Sequence, residues 1–419
     1  MTKITKKIPK RRFKTFKNAE AWEQRKLEAL CELFTDGDWI EAKDQSNSGV
    51  RLVQTGNVGT AEYLDKENNK KWISEDTFEK LHCEEIYEGD ILISRLPEPA
   101  GRACIMPNLG TRMITAVDCT IIRTAKEFDS KYLVQYLTTP MYFKVVNSFL
   151  GGGTRQRISR GNLSSIDIPI PSTLEEQKRI GQYFANLDNL ITLHQRKLDK
   201  LKNVKKAYLS ELFPAEGERE PKRRFPGFTD AWEQRKLGEV ASYRRGSFPQ
   251  PYGKSEWYGG EYAKPFVQVA DVADSMCLVK DTKQKISLLA QPLSVFAEKG
   301  SVLVTLQGSI GRVAIIQYGA FIDRTILIFE KYKIDIDNVF WAYIIKQKFV
   351  EEALKAPGGT IKTITKEALS DFDLRLPNFE EQTQIGTFFF ALDSLITLHQ
   401  RKLDKLKDLK KAYLNELFV

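Results

Sequence analysis

The sequence ITLHQRKLDKLK occupies residues 191–202 and recurs without a change at residues 396–407. The identity extends outwards at the same offset, because EEQ at 175–177 returns at 380–382 and KKAYL at 205–209 returns at 410–414. Neither glycine nor proline interrupts residues 182–213 or residues 387–418. Uninterrupted stretches of this length predict two long helices, one closing each half of the chain.

Both predicted helices carry apolar residues at steps of three and four, which is the pattern of a coiled-coil seam. At 1.5 Å per residue, a helix of about 38 residues is about 57 Å long, which indicates a spacer. The alternative is that each helix packs on its own domain, but identical outward residues such as Arg196 and Lys200 argue against it. We expect the seam to contain Leu187, Ile191, His194, Leu198, Leu201 and Tyr208 in the first helix and Leu392, Ile396, His399, Leu403, Leu406 and Tyr413 in the second.

The two seam histidines, His194 and His399, occupy equivalent positions in the two copies. Buried polar residues at seam positions commonly fix helix register, and we favour that interpretation over metal binding.

Composition limits the class of protein. The 419 residues suffice for two or three domains, and the formal charge of +9 is consistent with a polyanionic partner. The five cysteines never form a CxxC pair, so we expect free thiols in a reducing cytoplasm. The sequence has no apolar run of membrane-spanning length and no secretory signal, and we therefore expect a cytoplasmic protein.

A second motif pair marks where each repeat begins. PKRRF at 9–13 returns at 221–225, and AWEQRKL at 21–27 returns at 231–237. The opening motif and the closing helix bound a repeat of about 200 residues, which is typical of a duplicated domain and too long for a solenoid unit.

Between these ends the copies diverge but keep a common order of elements. GDILIS at 89–94 matches GSVLVT at 300–305, DCTI at 118–121 matches DRTI at 323–326, and VQTGNV at 53–58 matches VQVADV at 267–272. These β-rich runs bounded by glycine predict strands. Residues 131–149 and 338–355 are predicted to be helices, each followed by a glycine-rich loop.

These patterns predict an α+β protein with two similar globular α/β domains, separated by two long antiparallel helices that form an intramolecular coiled coil with pseudo-two-fold symmetry. The antiparallel arrangement follows if the termini of each domain lie close together. The predicted boundaries are 1–173 for the first domain, 174–213 for the first helix, 214–227 for a charged linker, 228–378 for the second domain and 379–419 for the second helix.

Motifs for catalysis are missing from the sequence. Lys254-Ser255 resembles the end of a phosphate-binding loop, but Phe248 stands where that loop needs its first glycine. No tetrapeptide of the Asn-Pro-Pro-aromatic type, which amino-methyltransferases use, is present. We therefore expect a non-catalytic chain without a cofactor or metal of its own.

What remains is basic and amide-bearing loop chemistry. Arginine pairs with guanine edges, glutamine and asparagine pair with adenine edges, and lysine contacts phosphate. Any single residue of this kind is more often an ordinary surface group. The DNA-binding candidates are Gln54, Asn57, Arg95, Arg102, Thr154, Arg155, Gln156 and Arg157 in the first half, and Arg244, Arg245, Gln268, Gln307, Arg312, Thr360 and Lys362 in the second.

The order and duplication of these motifs resemble the specificity (S) subunit of Type I restriction–modification systems. The resemblance covers nearly the whole chain. It implies two target-recognition domains that each read one half of a bipartite DNA site, with the helices setting the gap. It also implies that two methyltransferase subunits and two restriction subunits join the chain and carry S-adenosylmethionine, ATP and magnesium. The alternative is a non-enzymatic coiled-coil scaffold that binds protein or RNA.

Overall fold

The computed structural model describes residues 7–151, 156–215, 217–355 and 369–419. The chain divides into two compact units. The first unit comprises Met1–Gln195 and Arg401–Val419, and the second comprises Arg196–Gln400. The division passes through both long helices, and the domain boundaries predicted above stay a prediction.

The described residues of the first repeat form five α-helices and ten strands. The helices are α1 (Glu75–Leu81), α2 (Ser130–Tyr136), α3 (Pro140–Ser148), α4 (Arg160–Ser164) and α5 (Leu174–Glu211). The strands are β1 (Glu23–Lys26), β2 (Cys31–Asp36), β3 (Gln45–Ser46), β4 (Val50–Val53), β5 (Lys71–Ile73), β6 (Ile91–Ser94), β7 (Ala103–Ile105), β8 (Met113–Thr115), β9 (Cys119–Thr124) and β10 (Asp167–Ile170).

The second repeat follows the same order with fewer short helices in its described part. The helices are α6 (Leu237–Val240), α7 (Asn338–Lys355) and α8 (Phe379–Leu417). The strands are β11 (Glu233–Lys236), β12 (Ala241–Arg245), β13 (Lys264–Val267), β14 (Gln284–Ile286), β15 (Phe296–Ala297), β16 (Val302–Thr305), β17 (Val313–Ile315), β18 (Ala320–Ile322), β19 (Ile326–Tyr332) and β20 (Asp373–Leu376).

One sheet has the same topology in both units, and the other shares three strands but differs in the fourth, which is β3 beside β5 in the first unit and β15 beside β18 in the second. A four-stranded antiparallel sheet has the order β2-β9-β6-β7 in the first unit and β12-β19-β16-β17 in the second. A second sheet has the order β3-β5-β4-β8 in the first unit and β14-β13-β18-β15 in the second. In each second sheet one pair is parallel, β4 with β8 and β13 with β18. The duplication seen in the sequence is therefore a duplication of the fold.

The first three residues of strand β6 are apolar because both faces of the strand are buried. Ile91 and Ile93 pack with Tyr132 of α2, whereas Leu92 packs with Val53 of the other sheet. Successive side chains of a strand point to opposite faces. The sheet is therefore covered on both faces, and polar residues concentrate in its loops.

A buried ion pair ties the opening motif of each repeat to the start of its long helix. The Arg12 guanidinium donates to both carboxylate oxygens of Glu176, each at 2.6 Å, and both side chains are buried. Arg224 and Glu381 repeat this pair at 2.9 and 2.6 Å. Bidentate geometry makes such a pair strong, and removal of one partner would leave a buried charge. The PKRRF motif therefore fixes the position of each helix start.

The core of each unit is completed by the end of a long helix. In the first unit the ring of Phe418 lies 5.4 Å from Tyr132 and 5.6 Å from Phe184. In the second unit Phe213 lies 5.6 Å from Phe340 and 5.9 Å from Phe389, which are the equivalent positions. Ring pairs at these distances stabilise beyond their buried area.

Within each unit the two long-helix segments run antiparallel. In the first unit Asp188 accepts from Lys410 at 2.6 Å, and Tyr183 packs on Tyr413 at 5.3 Å. In the second unit Lys205 pairs with Asp393, and Tyr208 packs on Phe388 at 4.8 Å. Residue numbers rise along one helix as they fall along the other. The predicted α+β class with paired antiparallel helices is confirmed.

The helix predicted at residues 131–149 is wrong in one respect, because it is two helices. The helix is interrupted between α2 and α3. Pro140 is the first residue of α3, and the Thr139 hydroxyl accepts a hydrogen bond from the Tyr142 amide. Proline lacks an amide hydrogen and suits the first helical turn. The equivalent residues 338–355 contain no proline and form the single predicted helix α7.

The strands predicted at residues 53–58 and 267–272 end after their first residue. Each continues as a 3-10 turn, Thr55–Asn57 and Val269–Asp271. The Asn57 side-chain oxygen accepts from the Gln54 amide at 3.0 Å, and the Asp271 carboxylate accepts from the Gln268 amide at 2.9 Å. Short Asn and Asp side chains bond nearby backbone in this way and end the strand.

We predict that Phe418→Ala destabilises the first unit by about 3–5 kcal/mol, the usual cost of emptying a buried phenylalanine site. Hydrogen exchange followed by mass spectrometry should show lost protection in α2 but not in α7. Phe390→Ala is the matched control, since Phe390 is 62% exposed and should change stability by less than about 0.5 kcal/mol. Equal loss of protection in α2 and α7 would contradict the assignment of Phe418 to one unit.

Candidate nucleic-acid interface

Loops gather at one edge of the sheets in each unit. In the first unit β2 ends at Asp36 opposite Thr120, and β6 ends at Ser94 opposite Cys119. We call this the loop edge: residues 36–40, 54–58, 95–102 and 116–118 in the first unit, and 245–248, 268–272, 306–312 and 323–325 in the second. Gly37 is required here, because a β-carbon on it would overlap the carbonyl oxygens of Thr115 and Ala116.

Arg95 is buried beneath the first loop edge. It forms an ion pair with Asp36 at 3.2 Å and donates to the Val117 carbonyl oxygen. Its backbone accepts from the Ile158 amide at 3.2 Å. Burial lowers the pKa of the Arg95 guanidinium, and the nearby Asp36 carboxylate opposes that shift. Arg95 therefore holds three loops together from within.

Arg102 joins two loops of the same edge. Its guanidinium donates to the carbonyl oxygens of Val58 at 2.6 Å and Thr55 at 2.8 Å on one side, and of Leu96 at 3.1 Å and Pro99 at 3.0 Å on the other. Hydrogen bonds from a charged donor contribute more than neutral ones. The predicted residues Gln54 and Asn57 lie in the turn that Arg102 holds, with Asn57 buried and Gln54 half-buried.

The second unit repeats this arrangement with fewer contacts. Arg312 donates to the Val272 carbonyl oxygen at 3.3 Å and pairs with Asp274 at 3.2 Å. The turn it holds starts at Gln268, which is half-buried. Arg102 and Arg312 are thus equivalent in sequence, in position and in the loop they contact.

The remaining described candidates are exposed. Arg157 lies 3.5 Å from Asp118, and Arg244 pairs with Glu330 at 2.6 Å. Gln156, Arg245 and Gln307 are exposed as well. Thr154, Arg155, Thr360 and Lys362 lie outside the described residues. That any of the fifteen candidates contacts DNA stays a prediction. The candidates that belong to the loop edge lie on one side of their unit.

The sequence analysis did not select two exposed residues, Trp39 on the first loop edge and Arg160 beside it. Trp39 is 71% exposed and lies two residues after the constrained Gly37, and Arg160 at the start of α4 lies 4.0 Å from Asp36. An aromatic residue in a polar turn shortly after a required glycine is a signal that could have identified Trp39.

The predicted seam residues lie on the inner side of the long helices. Leu187, Leu198, Leu392 and Leu403 are buried. The other eight, including both histidines, are half-buried. By contrast, Leu190, Leu193, Leu395 and Leu398 are exposed at equivalent positions of α5 and α8.

The family model of the Type I restriction modification DNA specificity domain matches residues 19–203 and 229–408, which is most of the chain and both repeats. The chain belongs to this family. The recognition made from sequence motifs is therefore confirmed, and the alternative of an unrelated coiled-coil scaffold is not supported.

Named relatives agree with the family assignment. A Methanocaldococcus jannaschii protein named as the specificity subunit of the type I restriction enzyme MjaX is 24% identical over 413 residues, covering 96% of this chain and 93% of that protein. The MjaIX specificity subunit of the same organism is 21% identical over 398 residues, covering 91% and 86%. Membership in this family implies a non-catalytic role for the chain.

The fold is also found in a solved structure. The crystal structure of a Type-I restriction-modification S subunit from M. genitalium matches with a TM-score of 0.66 and 16% identity, covering 98% of this chain and 99% of that one. At this identity the match concerns the fold alone.

Two features are absent from the described part of the chain. No helix there is long and apolar enough to cross a membrane. No group of three or more His, Cys, Asp or Glu side chains there is placed to hold a metal ion.

We predict that Arg102→Ala and Arg157→Ala separate scaffolding from DNA contact. Arg102→Ala should lower stability by about 1.5–3 kcal/mol, because backbone carbonyls lose a charged donor. Arg157→Ala should leave stability within about 0.5 kcal/mol, since exposed ion pairs contribute little, and should reduce the salt dependence of DNA binding by about one counterion. Thermal denaturation and fluorescence anisotropy at several salt concentrations would measure both. A destabilised Arg157→Ala protein, or one with an unchanged salt slope, would contradict this prediction.

Proposed function

We propose that each unit of this specificity subunit reads one half of a bipartite DNA sequence through its loop edge. The observation that carries the proposal is that the same sheet occurs twice, with different residues at its loop edge. The β2-β9-β6-β7 and β12-β19-β16-β17 sheets match strand for strand. Their equivalent turns hold Ala116-Val117-Asp118 in one unit and Asp323-Arg324-Thr325 in the other. Two similar supports with unlike contact groups suit two different short sequences.

The residues of the loop edge suit any polyanion, and it is the family membership that favours DNA. Arginine and glutamine can pair with base edges, and the net charge of +9 supports contact with phosphates. The long helices are proposed to set the gap between the two half-sites.

The first test exchanges residues 228–378 for the matching segment of another specificity subunit. We expect the second half-site to change while the first half-site and the gap stay the same, because the first unit's loops and the helices are unaltered. Methylation mapping of host DNA would measure this. A change in the first half-site, or an unaltered second one, would refute the division of labour, and a changed gap would refute the role of the helices.

We propose further that two methyltransferase subunits bind this chain, with two restriction subunits joining them. The resemblance leads us to place S-adenosylmethionine, ATP and magnesium on those partners, and no catalytic step on this chain. Support for a count of two comes from α5 and α8. Leu190 and Leu193 on α5 and Leu395 and Leu398 on α8 are exposed at the same repeat positions. Residues three apart share a helix face, so each unit presents the same apolar face.

This face has a defined chemistry. Arg196 and Lys197 follow Leu193 on α5, and Arg401 and Lys402 follow Leu398 on α8, all exposed. The proposed occupant is therefore a methyltransferase subunit with an apolar patch bordered by acidic residues. Two identical faces in one chain favour two copies of one partner.

We predict that Leu193→Asp removes one methyltransferase subunit from the assembled complex and that Leu193→Asp with Leu398→Asp removes both, because a charge cannot be buried against an apolar partner surface. Native mass spectrometry of the co-expressed subunits would count them. Leu288→Asp is the matched control, since Leu288 is an exposed leucine outside the long helices. A double variant that retains two methyltransferase subunits would rule out this face.

A further inference from the structure

A cluster of mutually tilted aromatic rings lies next to the loop edge of the second unit. Phe248 is buried two residues after the close-packed Gly246, and its ring lies 5.6 Å from that of Phe266. The ring of Tyr252 lies 4.6 Å from Phe248 on the other side and is 56% exposed. Trp257 donates its indole hydrogen to the Pro251 carbonyl oxygen at 3.0 Å and so fastens the segment that carries Tyr252. The exposed ring of Tyr252 is therefore supported by a buried ring and by a hydrogen-bonded segment.

Arg324 lies against this exposed ring. Its guanidinium carbon is 5.5 Å from the centroid of Tyr252. The turn that carries Arg324 is fixed, because buried Asp323 accepts from the Thr325 amide at 3.0 Å and the Thr325 carbonyl accepts from the Leu306 amide at 2.8 Å. An arginine stacked on an aromatic ring keeps the donors at its edge available.

The guanidinium donors of Arg324 have no hydrogen-bond partner among the described residues. Within the part of the chain that the structure describes, Arg324 makes no hydrogen bond and no ion pair, and Tyr252 is its one recorded partner. Neighbouring arginines differ, since Arg244 pairs with Glu330 and Arg312 with Asp274. Among the described residues, Arg324 is thus an exposed cation beside Tyr252 whose guanidinium donors have no hydrogen-bond partner.

The first unit has different chemistry at the equivalent position. Val117 stands where Arg324 stands in the fold, because the Ala116 amide donates to the Val53 carbonyl oxygen as the Asp323 amide donates to the Val267 carbonyl oxygen, and Val117 is apolar and half-buried. The backbone frame around both is the same, since Cys119 begins β9 opposite Ser94 and Ile326 begins β19 opposite Thr305. A contact made by Arg324 therefore belongs to the second unit alone.

We propose that Arg324 and Tyr252 form the base-contacting pair of the second unit. Arg324 donates through two nitrogens to one guanine in the major groove, and Tyr252 packs its ring against a neighbouring base. The chemistry fits, because arginine matches the two acceptors of guanine and aromatic rings stack on any base. This inference rests on the proposed function, and it names which residues of that site distinguish one base pair from another.

The test uses the full chain assembled with its methyltransferase subunits. The substrate is a library of DNA duplexes with one half-site randomised at a time. Arg324→Ala and Arg324→Lys should both reduce the preference for one guanine in the second half-site by about 10- to 100-fold, because lysine keeps the charge but lacks the paired donors. The first half-site should keep its preference.

Tyrosine variants test the ring separately. Tyr252→Ala should lower methylation of all second half-site sequences by about 10-fold, whereas Tyr252→Phe should match the unchanged chain, since stacking needs the ring and not the hydroxyl. Tyr87→Ala is the matched control. Tyr87 is 52% exposed and lies 4.9 Å from Arg123 in a similar pair of the first unit, at the opposite end of its sheet. It should change neither half-site.

Each outcome has one meaning. An Arg324→Lys complex that keeps its base preference would show a phosphate contact and overturn the assignment of base recognition. Unchanged preference and rate in all four variants of Arg324 and Tyr252 would overturn the pair while leaving the bipartite function intact. A complex of unchanged chains that methylates no bipartite site would instead overturn the proposed function. Arg324→Lys conserves the charge and is expected to lose base preference, so the test of base recognition remains decisive if an alanine variant folds poorly.

Discussion

The packing of each long-helix end into an aromatic cluster is the constraint on which both units depend. Phe418 enters a cluster with Tyr132 and Phe184, and Phe213 enters the equivalent cluster of the second unit. In each unit, the core is completed by a helix segment that is distant in sequence. An isolated helix of this composition is marginal in water, so its order comes from packing. The Glu-Leu-Phe sequence at 211–213 and 416–418 is explained by this shared task, since both helix ends fit the same kind of cluster.

The buried Arg12–Glu176 and Arg224–Glu381 pairs act at the other end of each helix. A buried ion pair is weak evidence for stability in itself, but it penalises arrangements that separate its partners. Here it links the opening motif to the first turn of the helix that closes the same repeat. The frame is thereby specified at both ends by residues that do not lie on the loop edge. The loops can then differ without a change in the elements that support them.

Much of this frame could be predicted from the sequence, because it depends on periodic patterns. The heptad steps predicted both long helices, and the glycine-bounded apolar runs predicted β6 and β16. The turn at residues 55–57 could not be predicted this way, since an Asn57 side chain that bonds the Gln54 amide competes with a strand for reasons invisible to alternation. The break at Pro140 could have been predicted from the sequence, although the apolar pattern around it favours one continuous helix.

The candidate site was harder to predict, because residue type does not determine burial. Arg95 and Arg157 have the same chemistry, yet one is buried beneath the loops and the other is exposed on them. Arg324 was not selected, because the sequence match of DCTI with DRTI pairs it with Cys119, whereas the strand register pairs it with Val117. The same turn accepts a half-buried valine in one unit and an exposed arginine in the other. Because the turn's own hydrogen bonds come from its neighbours, its central residue can change with little cost to folding, and this freedom is what a protein that reads different DNA sequences requires.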